Sequence, residues 1–156
     1  MKLALVGGTL ITPFRIINNG GLIIDEGKIY EIGKSSDIKI TDDCEVVDVS
    51  GRYICPGFVD LLVHGGGGFG FADEDKSSIA KVSRYFLEHG STTVMASLYA
   101  KPEKRLLKDV SALADYIEAH PESNIRGIHL EGPYLNKELK GAMNEGYLWK
   151  PTVESW

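Results

Sequence analysis

The chain has 156 residues, of which 43% are hydrophobic and 25% are charged, an ordinary globular composition with enough length for one sizeable core. The formal net charge is −5, the basic residues form no block, and no run reaches the roughly 18 apolar residues of a membrane span. We therefore expect neither nucleic-acid binding nor a membrane-spanning helix. Two cysteines, Cys44 and Cys55, are too few for a disulfide framework and lack the paired spacing of a zinc site. They favour a reduced, cytoplasmic protein with structural thiols.

Residues 1–55 are predicted to form short β-strands. The segments "LALVGG", "GLIIDEGKIYEIG" and "CEVVDVSG" are rich in apolar and β-branched residues and are bounded by glycine, aspartate and asparagine. Asp25-Glu26-Gly27 stands between two apolar runs, which indicates a hairpin turn. The apolar start of the chain is interrupted by turn formers and has no clear cleavage site, so it is predicted to be the first strand and not a signal peptide.

From residue 56 onward the apolar period changes, and predicted strands alternate with predicted helices. The predicted elements are a strand over 58–64, a helix over 75–89, a strand over 91–98, a helix over 102–120 and a strand over 125–131. The first of these strands, "FVDLLVH", is nearly continuously apolar, as in a strand buried on both faces. The order predicts parallel βαβ units. Since a (β/α)₈ barrel needs roughly 250 residues, residues 56–156 are either a small open α/β domain or the first part of a barrel.

Two polar residues stand at the ends of predicted strands. His64 closes "FVDLLVH" and Glu131 closes "IRGIHLE". Ligands of parallel α/β folds bind beyond the carboxyl ends of the strands, and both side-chain types bind zinc and related metals. Each also has a structural explanation: a strand-end histidine is often only hydrogen-bonded, and a glutamate before Gly132-Pro133 could cap a following helix. A metal site and a structural role both remain open on this pattern.

Three further features have two interpretations each. The glycine run over 64–71 loosely matches G-x-G-x-x-G, but it lacks the Lys-Ser/Thr of a phosphate-binding loop and no helix follows directly, so close backbone approach is the simpler explanation. Asp60, inside a predicted strand, needs partners and is either structural or holds a ligand in place. His129 alternates with Glu131 on one face of its strand, where packing or support of a neighbouring ligand is favoured over direct binding.

Three blocks of the sequence resemble a known family. "CPGFVDLLVHGGGG", "HGSTTVMASL" and "GIHLEGPYLNKELKGAMN" are similar to the N-terminal part of the N-acetylglucosamine-6-phosphate deacetylases, of the amidohydrolase superfamily. "HLEGPY" followed by "KGA" is the most specific part, whereas "PGFVD" with a strand-end histidine is shared across the superfamily. The resemblance implies that residues 1–55 contribute strands to a β-sandwich. It implies that residues 56–156 form the first three or so β/α units of a (β/α)₈ TIM barrel, incomplete in this chain.

The resemblance also implies a reaction and a site. The reaction is metal-dependent hydrolysis of the N-acetyl group of N-acetylglucosamine 6-phosphate to glucosamine 6-phosphate and acetate, a step of amino-sugar metabolism. Glu131 would bind a divalent metal ion, zinc or iron, and His64 would touch that metal, a second ion or the substrate. Ala142 and Met143 would contact the sugar phosphate. Two further histidine ligands and the general base are expected downstream of Trp156.

Two departures from the family pattern bear on these expectations. Leu62 stands where many superfamily members have the first histidine of His-x-His, which argues against a full binuclear site. Met143 stands where the family commonly has a histidine, so the reaction type is better supported than the substrate. The alternatives are a catalytically silent fragment and an amidohydrolase acting on another N-acyl or cyclic amide. We expect the 156-residue chain alone to be inactive and to self-associate as a homo-oligomer through its exposed strand edge.

Overall fold

The computed structural model describes residues 2–152 and divides the chain into two units, Met1–Pro56 and Gly57–Trp156. The boundary predicted from the sequence lies one residue earlier, between residues 55 and 56. The assignment of the two segments to a β-sandwich domain and a barrel domain stays a prediction. Within residues 2–152, neither helix has the length and apolar character that crossing a bilayer requires.

The first unit is built on one sheet. Its strands are β1 (Lys2–Ile11), β2 (Ile16–Asp25), β3 (Lys28–Lys34), β4 (Cys44–Asp48) and β5 (Tyr53–Ile54). The order is β3-β2-β1-β4, and β5 also pairs with β1. Pairing is antiparallel between β1, β2 and β3, whereas β4 and β5 run parallel to β1. The prediction of strands in this part of the chain is confirmed, but β1 and β2, with ten residues each, are longer than the short strands expected.

The predicted hairpin turn joins β2 to β3. Glu26 and Gly27 have φ angles of 48° and 75°. Both central residues of the turn therefore occupy the left-handed region, as a type I′ hairpin turn requires. Two small apolar clusters form on the sheet. Their buried members are Ala4, Ile23 and Ile38 in one, and Leu10, Ile17 and Leu22 in the other.

The second unit is an α/β structure. Its elements are β6 (Phe58–Val63), β7 (Gly65–Gly66), β8 (Phe69–Gly70), α1 (Ser77–Glu88), β9 (Ser91–Tyr99), α2 (Glu103–Ala119), β10 (Ile125–Glu131) and a 3-10 turn (Glu145–Tyr147). Strands β6, β9 and β10 are parallel, in the order β10-β9-β6. The predicted βαβ order is confirmed, and the barrel that would continue it stays a prediction.

One apolar core lies between the helices and the central strand β9. Its buried members are Phe71, Ile79, Val82, Val94, Ala96, Leu98, Leu106, Leu113 and Ile125. Burial of each large aliphatic or aromatic side chain stabilises the fold by about 1.5–3 kcal/mol. Gly90, with a φ of 88°, ends the turn after α1 and leads directly into β9. Pro102 is the N-cap of α2 and therefore lies directly before the helix, whereas the predicted helix began at this residue.

Strand β6 differs from its prediction. We expected a strand buried on both faces, but Phe58, Val59 and Leu61 are 65%, 61% and 66% exposed. Among the described residues, β6 is an edge strand that pairs with β9 alone, and Val63 is its member packed against the core. The apolar composition of a strand indicates a tendency to be buried, but it does not say which segment covers it.

The glycine run forms the hairpin β7–β8. Gly67 and Gly68 have φ angles of 63° and 86°, the two positive values of a tight hairpin turn. A Cβ atom on Gly66 would lie 2.6 Å from Cδ1 of Tyr85, so a larger residue would collide with the aromatic ring on α1. The loose dinucleotide-like match has no structural counterpart, because α1 begins only at Ser77. Close backbone approach explains the glycines.

Candidate active site

Three strand ends of the second unit meet at one edge of the sheet. Tyr99 and Glu131 are Cα partners at the ends of β9 and β10, and His64 directly follows β6. The carboxyl ends of parallel strands lie at the same edge, which is where ligands of α/β folds bind. Residues far apart in the chain are thereby brought together.

Both ring nitrogens of His64 have partners. Nδ1 lies 2.9 Å from the main-chain oxygen of Ser97, and Nε2 lies 2.8 Å from Oε2 of Glu131. Because a carbonyl oxygen only accepts hydrogen bonds, Nδ1 is the protonated donor in the first contact. The ring of Tyr99 meets the imidazole edge-on, with 5.6 Å between ring centroids. These contacts fix the plane of the imidazole and direct Nε2 toward the carboxylate.

The donor atoms of this pair suit a cation. An imidazole whose Nδ1–H is held by a carbonyl presents Nε2 as a ligand, which is the common arrangement of metal-binding histidines. A carboxylate oxygen beside it is a second zinc-type ligand. Within residues 2–152, no group of three or more histidine, cysteine or acidic side chains is arranged to hold an ion. His64 and Glu131 therefore fit part of a metal site that needs further ligands.

A cavity of about 490 Å³ opens beside this pair. Its lining residues are His64, Tyr99, Ala100, Glu131, Lys140, Gly141, Ala142, Met143, Asn144 and Tyr147. The volume lies in the range that holds small molecules, roughly 300–1,000 Å³. All four residues that the sequence analysis selects, His64, Glu131, Ala142 and Met143, line this one cavity. Their chemical roles remain predictions.

A larger depression lies in the first unit. Its volume is about 740 Å³, and Arg15, Lys34 and Asp37 are among its lining residues. Its lining has two carboxylates, Glu31 and Asp37, but no histidine to pair with them. The chemistry of the lining, and not the volume, selects the smaller cavity as the candidate site.

The segment after β10 folds back to form a wall of the cavity. Gly132 has a φ of 93°, a conformation that glycine adopts without strain, and it turns the chain immediately after Glu131. The N–H of Trp149 donates to the oxygen of Pro133 at 3.0 Å and ties the far end of the segment to its start. Nζ of Lys140 donates to the oxygen of Met143 at 2.7 Å. This bond stabilises the short turn that carries Gly141 and Ala142.

The lining residues that were not selected from the sequence include Tyr99, and Lys140 and Asn144, the first and last residues of "KGAMN". Tyr99 was overlooked because the predicted strand ended at residue 98, one position short of β9. Extending that strand by a residue would have placed a tyrosine in the same row as His64 and Glu131. Lys140 and Asn144 each lie two residues from Ala142, which had been selected with Met143. Their closeness in sequence to these two residues was the signal that could have identified them.

Two other candidates have structural partners. Oδ1 of Asp60 accepts the N–H of Leu62 at 3.2 Å, a local contact within the strand. Nδ1 of His129 lies 3.1 Å from Oγ of Ser97, and its side chain does not line the cavity. His129 thus contacts a residue behind the site, in agreement with the supporting role favoured by its position.

A buried carboxylate fixes the chain beside the cavity. Asp109, which is fully buried on α2, receives hydrogen bonds from Lys76 at 3.0 Å, Lys101 at 3.1 Å and Arg105 at 3.2 Å. Burial by itself raises the pKa of Asp109, but the hydrogen bonds from Lys76 and Lys101 outweigh it, so the net pKa lies below the ordinary value. Lys101 follows Ala100, which lines the cavity. The cluster therefore anchors the connection between β9 and α2.

Comparison with known proteins gives a consistent set of relatives. The chain is 33% identical over 145 residues to N-acetylglucosamine-6-phosphate deacetylase of Rattus norvegicus, which covers 91% of this chain and 34% of the rat protein. It is 26% identical over 155 residues to the protein of the same name from Haemophilus influenzae, covering 99% of this chain and 40% of that protein. The chain thus spans little more than a third of the curated relatives that it matches. No family model matches the chain.

Solved structures similar to the chain include proteins of the same name as these relatives. A mutant N-acetyl-D-glucosamine-6-phosphate deacetylase from Mycobacterium smegmatis, in complex with N-acetyl-D-glucosamine-6-phosphate, has a TM-score of 0.80 and 31% identity, over 97% of this chain and 38% of that one. The deacetylase from Pasteurella multocida has a TM-score of 0.86 and 25% identity, over 99% and 40%. Escherichia coli guanine deaminase, at 22% identity and a TM-score of 0.56 over 81% of this chain and 36% of that one, shares the fold.

The fold and these relatives together indicate the class of the chain as that of hydrolases, namely deacetylases. Within this class the chain corresponds to the N-terminal portion of the N-acetylglucosamine-6-phosphate deacetylases. The resemblance seen in the sequence blocks is confirmed. The two alternatives, a silent fragment and a hydrolase of another amide, are not favoured by these relatives.

Proposed function

We propose that this chain supplies the N-terminal portion of a metal-dependent deacetylase that hydrolyses N-acetylglucosamine 6-phosphate to glucosamine 6-phosphate and acetate. Residues 1–55 contribute strands to a β-sandwich, and residues 56–156 form the first β/α units of a (β/α)₈ TIM barrel. The names of the rat and Haemophilus influenzae relatives and the similarity to the solved deacetylases support this assignment. The protein acts in the cytoplasm as a homo-oligomer on a small-molecule substrate.

The proposed metal ligands are Glu131 and His64. The 2.8 Å contact between His64 Nε2 and Glu131 Oε2, at a cavity that Ala142 and Met143 also line, is the observation that carries the proposal. When bound, a divalent ion such as zinc or iron polarises the acetyl carbonyl and makes water easier to ionise. The hydrogen bond from His64 Nδ1 to Ser97 keeps the imidazole in the tautomer that a metal ligand needs.

We assign the substrate contacts to the part of the cavity wall formed by the "KGAMN" segment, residues 140–144. Ala142 offers main-chain groups to the amino sugar, and Met143 offers a thioether and apolar surface. The general base and the remaining ligands, expected downstream of Trp156, belong to the part of the relatives that this chain does not match. Hydrolysis needs that base to accept a proton from the attacking water and an acid to protonate the leaving amine.

The test is an assay of acetate release by the purified protein as its gene encodes it. The substrates are N-acetylglucosamine 6-phosphate, unphosphorylated N-acetylglucosamine and a cyclic amide, each before and after chelation and after return of zinc or iron. We expect preference for the sugar phosphate, loss on chelation and recovery with metal. Activity confined to the cyclic amide would support the other amidohydrolase, and absence of hydrolysis with all three substrates would contradict the proposal.

A further inference from the structure

Ser97 lies at the centre of the hydrogen bonds behind His64. Its Oγ accepts the N–H of Val63 at 3.0 Å and lies 3.1 Å from Nδ1 of His129, while its main-chain oxygen accepts Nδ1–H of His64 at 2.9 Å. Oγ also donates to the oxygen of Met95 at 3.3 Å. The side chain is almost fully buried, with 1% exposure. One serine thus contacts β6, the residue after it, and β10.

An irregularity in the sheet explains why this side chain matters. Asp60 pairs with Val94 and Val63 pairs with Ala96, so two residues of β6 stand opposite one residue of β9. Such an extra residue interrupts the ladder and re-aims the side chains that follow. The N–H of Val63 bonds to the side chain of Ser97 at this interruption. Since His64 is the next residue, this bond helps to fix the main chain from which the imidazole projects.

We propose that Ser97 is a positioning residue for His64. Its hydroxyl holds the end of β6 through Val63, and its carbonyl holds the imidazole through Nδ1, so that Nε2 points toward Glu131 and the cavity. One contact acts on the main chain of Val63, the residue before His64, and the other acts on the imidazole of His64 itself. An effect of Ser97 on metal binding rests on the proposed function, because it requires His64 to be a metal ligand. The positioning of the imidazole by Ser97 does not depend on that function.

The competing explanation is that Ser97 only completes the hydrogen bonds of the sheet interior. Ser83 provides a matched control, since it is another buried serine, 6% exposed, whose Oγ donates to Oδ1 of Asn124 at 2.7 Å. Ser83→Ala removes a buried hydroxyl with no contact to His64. A purely structural loss of stability would be common to Ser97→Ala and Ser83→Ala, whereas an effect on the imidazole would be confined to Ser97.

The discriminating variants are Ser97→Thr and Ser97→Val, with Ser97→Ala as the simple truncation. Threonine and valine have nearly the same shape and both suit a strand, but only threonine keeps the hydroxyl. Any cost of the extra methyl group is therefore shared by the pair. If Ser97→Ala fails to fold, the comparison between threonine and valine still tests the hydroxyl.

Two measurements read out the effect on the protein as its gene encodes it. The first is ¹⁵N NMR of histidine-labelled, metal-free protein, in which the Nδ1–H signal of His64 is identified by its loss in His64→Gln. We expect this signal in the wild type, Ser97→Thr and Ser83→Ala, and tautomer averaging in Ser97→Val and Ser97→Ala. The second is the zinc dissociation constant from competition with a chromogenic chelator. Loss of the orienting hydroxyl in Ser97→Val or Ser97→Ala should raise the zinc dissociation constant about 10-fold. The constants of Ser97→Thr and Ser83→Ala should stay within about 2-fold of the wild-type value.

The outcomes separate the two proposals. The positioning role is overturned if the Nδ1–H signal of His64 is unchanged in Ser97→Val. It is also overturned if Ser97→Thr and Ser97→Val bind zinc equally well although His64→Gln weakens zinc binding. A lost signal in Ser97→Val with zinc affinity unaffected even by His64→Gln supports positioning and contradicts the assignment of His64 as a metal ligand. A lost signal together with weaker zinc binding supports both.

Discussion

Nε2 of His64 and Oε2 of Glu131 lie 2.8 Å apart although 67 residues separate them in the chain. The two residues stand at the ends of β6 and β10, the outer strands of a three-stranded parallel sheet, with Tyr99 of the central strand between them. Two zinc-type donors therefore reach one point at the edge of the sheet where ligands of such folds bind.

Glu131→Gln tests the proposed metal ligand with little change of shape. An amide oxygen is a weaker ligand than a carboxylate and has no charge to offset the metal, so bound zinc and deacetylase activity should both fall by at least about 100-fold. Metal content by elemental analysis and kcat/KM for N-acetylglucosamine 6-phosphate are the measurements. Glu138→Gln, at an exposed position outside the cavity wall, is the control and should change neither. Retention of full metal content by Glu131→Gln would rule out its role as a ligand.

The proposed contact of Met143 with the sugar predicts that Met143→His improves recognition of the sugar. The side chain lines the cavity, and an imidazole there could hydrogen-bond to hydroxyl groups, which a thioether does poorly. A gained hydrogen bond of about 1.5 kcal/mol corresponds to a KM for N-acetylglucosamine 6-phosphate roughly 10-fold lower. Met143→Leu, which changes shape but adds no donor, is the comparison. Equal KM values for the two variants would mean that this position does not contact the sugar.

Tyr99→Ala should loosen the imidazole of His64, whose ring it meets edge-on at 5.6 Å. Aromatic pairs of this geometry contribute about 0.5–1.5 kcal/mol, so zinc affinity should fall roughly 2- to 10-fold. Tyr99→Phe keeps the ring and should bind zinc like the wild type. If phenylalanine weakens zinc binding as much as alanine does, the hydroxyl and not the ring contact is responsible.

Asp109→Asn should destabilise the fold strongly. The substitution leaves Lys76, Lys101 and Arg105 without the buried carboxylate that they surround, and breaking a buried ion pair in this way costs about 3–5 kcal/mol. The free energy of unfolding in urea at pH 7 is the measurement. Asp115→Asn, on the exposed side of the same helix, is the control and should stay within about 0.5 kcal/mol of the wild type.

The same substitution should show a defined pH dependence. The pKa of Asp109 is lower in the folded state than its ordinary value, because the hydrogen bonds from Lys76 and Lys101 outweigh the opposing effect of burial. Its stabilising contribution is therefore fully present above the unfolded pKa of about 3.9 and is lost as the pH falls through the lower folded value. The difference in unfolding free energy between wild type and Asp109→Asn should shrink on acidification below about pH 4. A difference that grows there would contradict the lowered pKa.

Gly68→Ala should destabilise the β7–β8 hairpin through the backbone alone. Gly68 has a φ of 86°, and a Cβ atom there would meet nothing within 4 Å, so no collision contributes. A non-glycine residue in the left-handed region costs about 1–2 kcal/mol, and asparagine tolerates it better than alanine. Unfolding free energies should decrease in the order wild type, Gly68→Asn, Gly68→Ala. Gly33→Ala, where φ is not positive and the nearest atom would be 3.9 Å away, should change little.

The sequence alone determined the local elements and the chemical character of the site. Apolar spacing located both helices and the strand Ile125–Glu131, and the turn residues located the hairpin at Glu26-Gly27. These features depend on interactions between near neighbours, which the sequence displays directly. Residue type and strand-end position were also enough to select His64 and Glu131 as candidates.

Only the tertiary structure decided which groups meet. The 2.8 Å contact of His64 with Glu131, the network through Ser97 and the ion pair of Lys76 with Asp109 all join segments far apart in the chain. They depend on strand order and on a one-residue irregularity in register, and neither is encoded in a local pattern. For the same reason the apolar strand β6 was expected to be covered on both faces, whereas its exposure depends on which elements pack beside it. Residue type and position in a strand were enough to select the candidate residues of the site, but the pairing of strands that are distant in sequence brings these residues into contact.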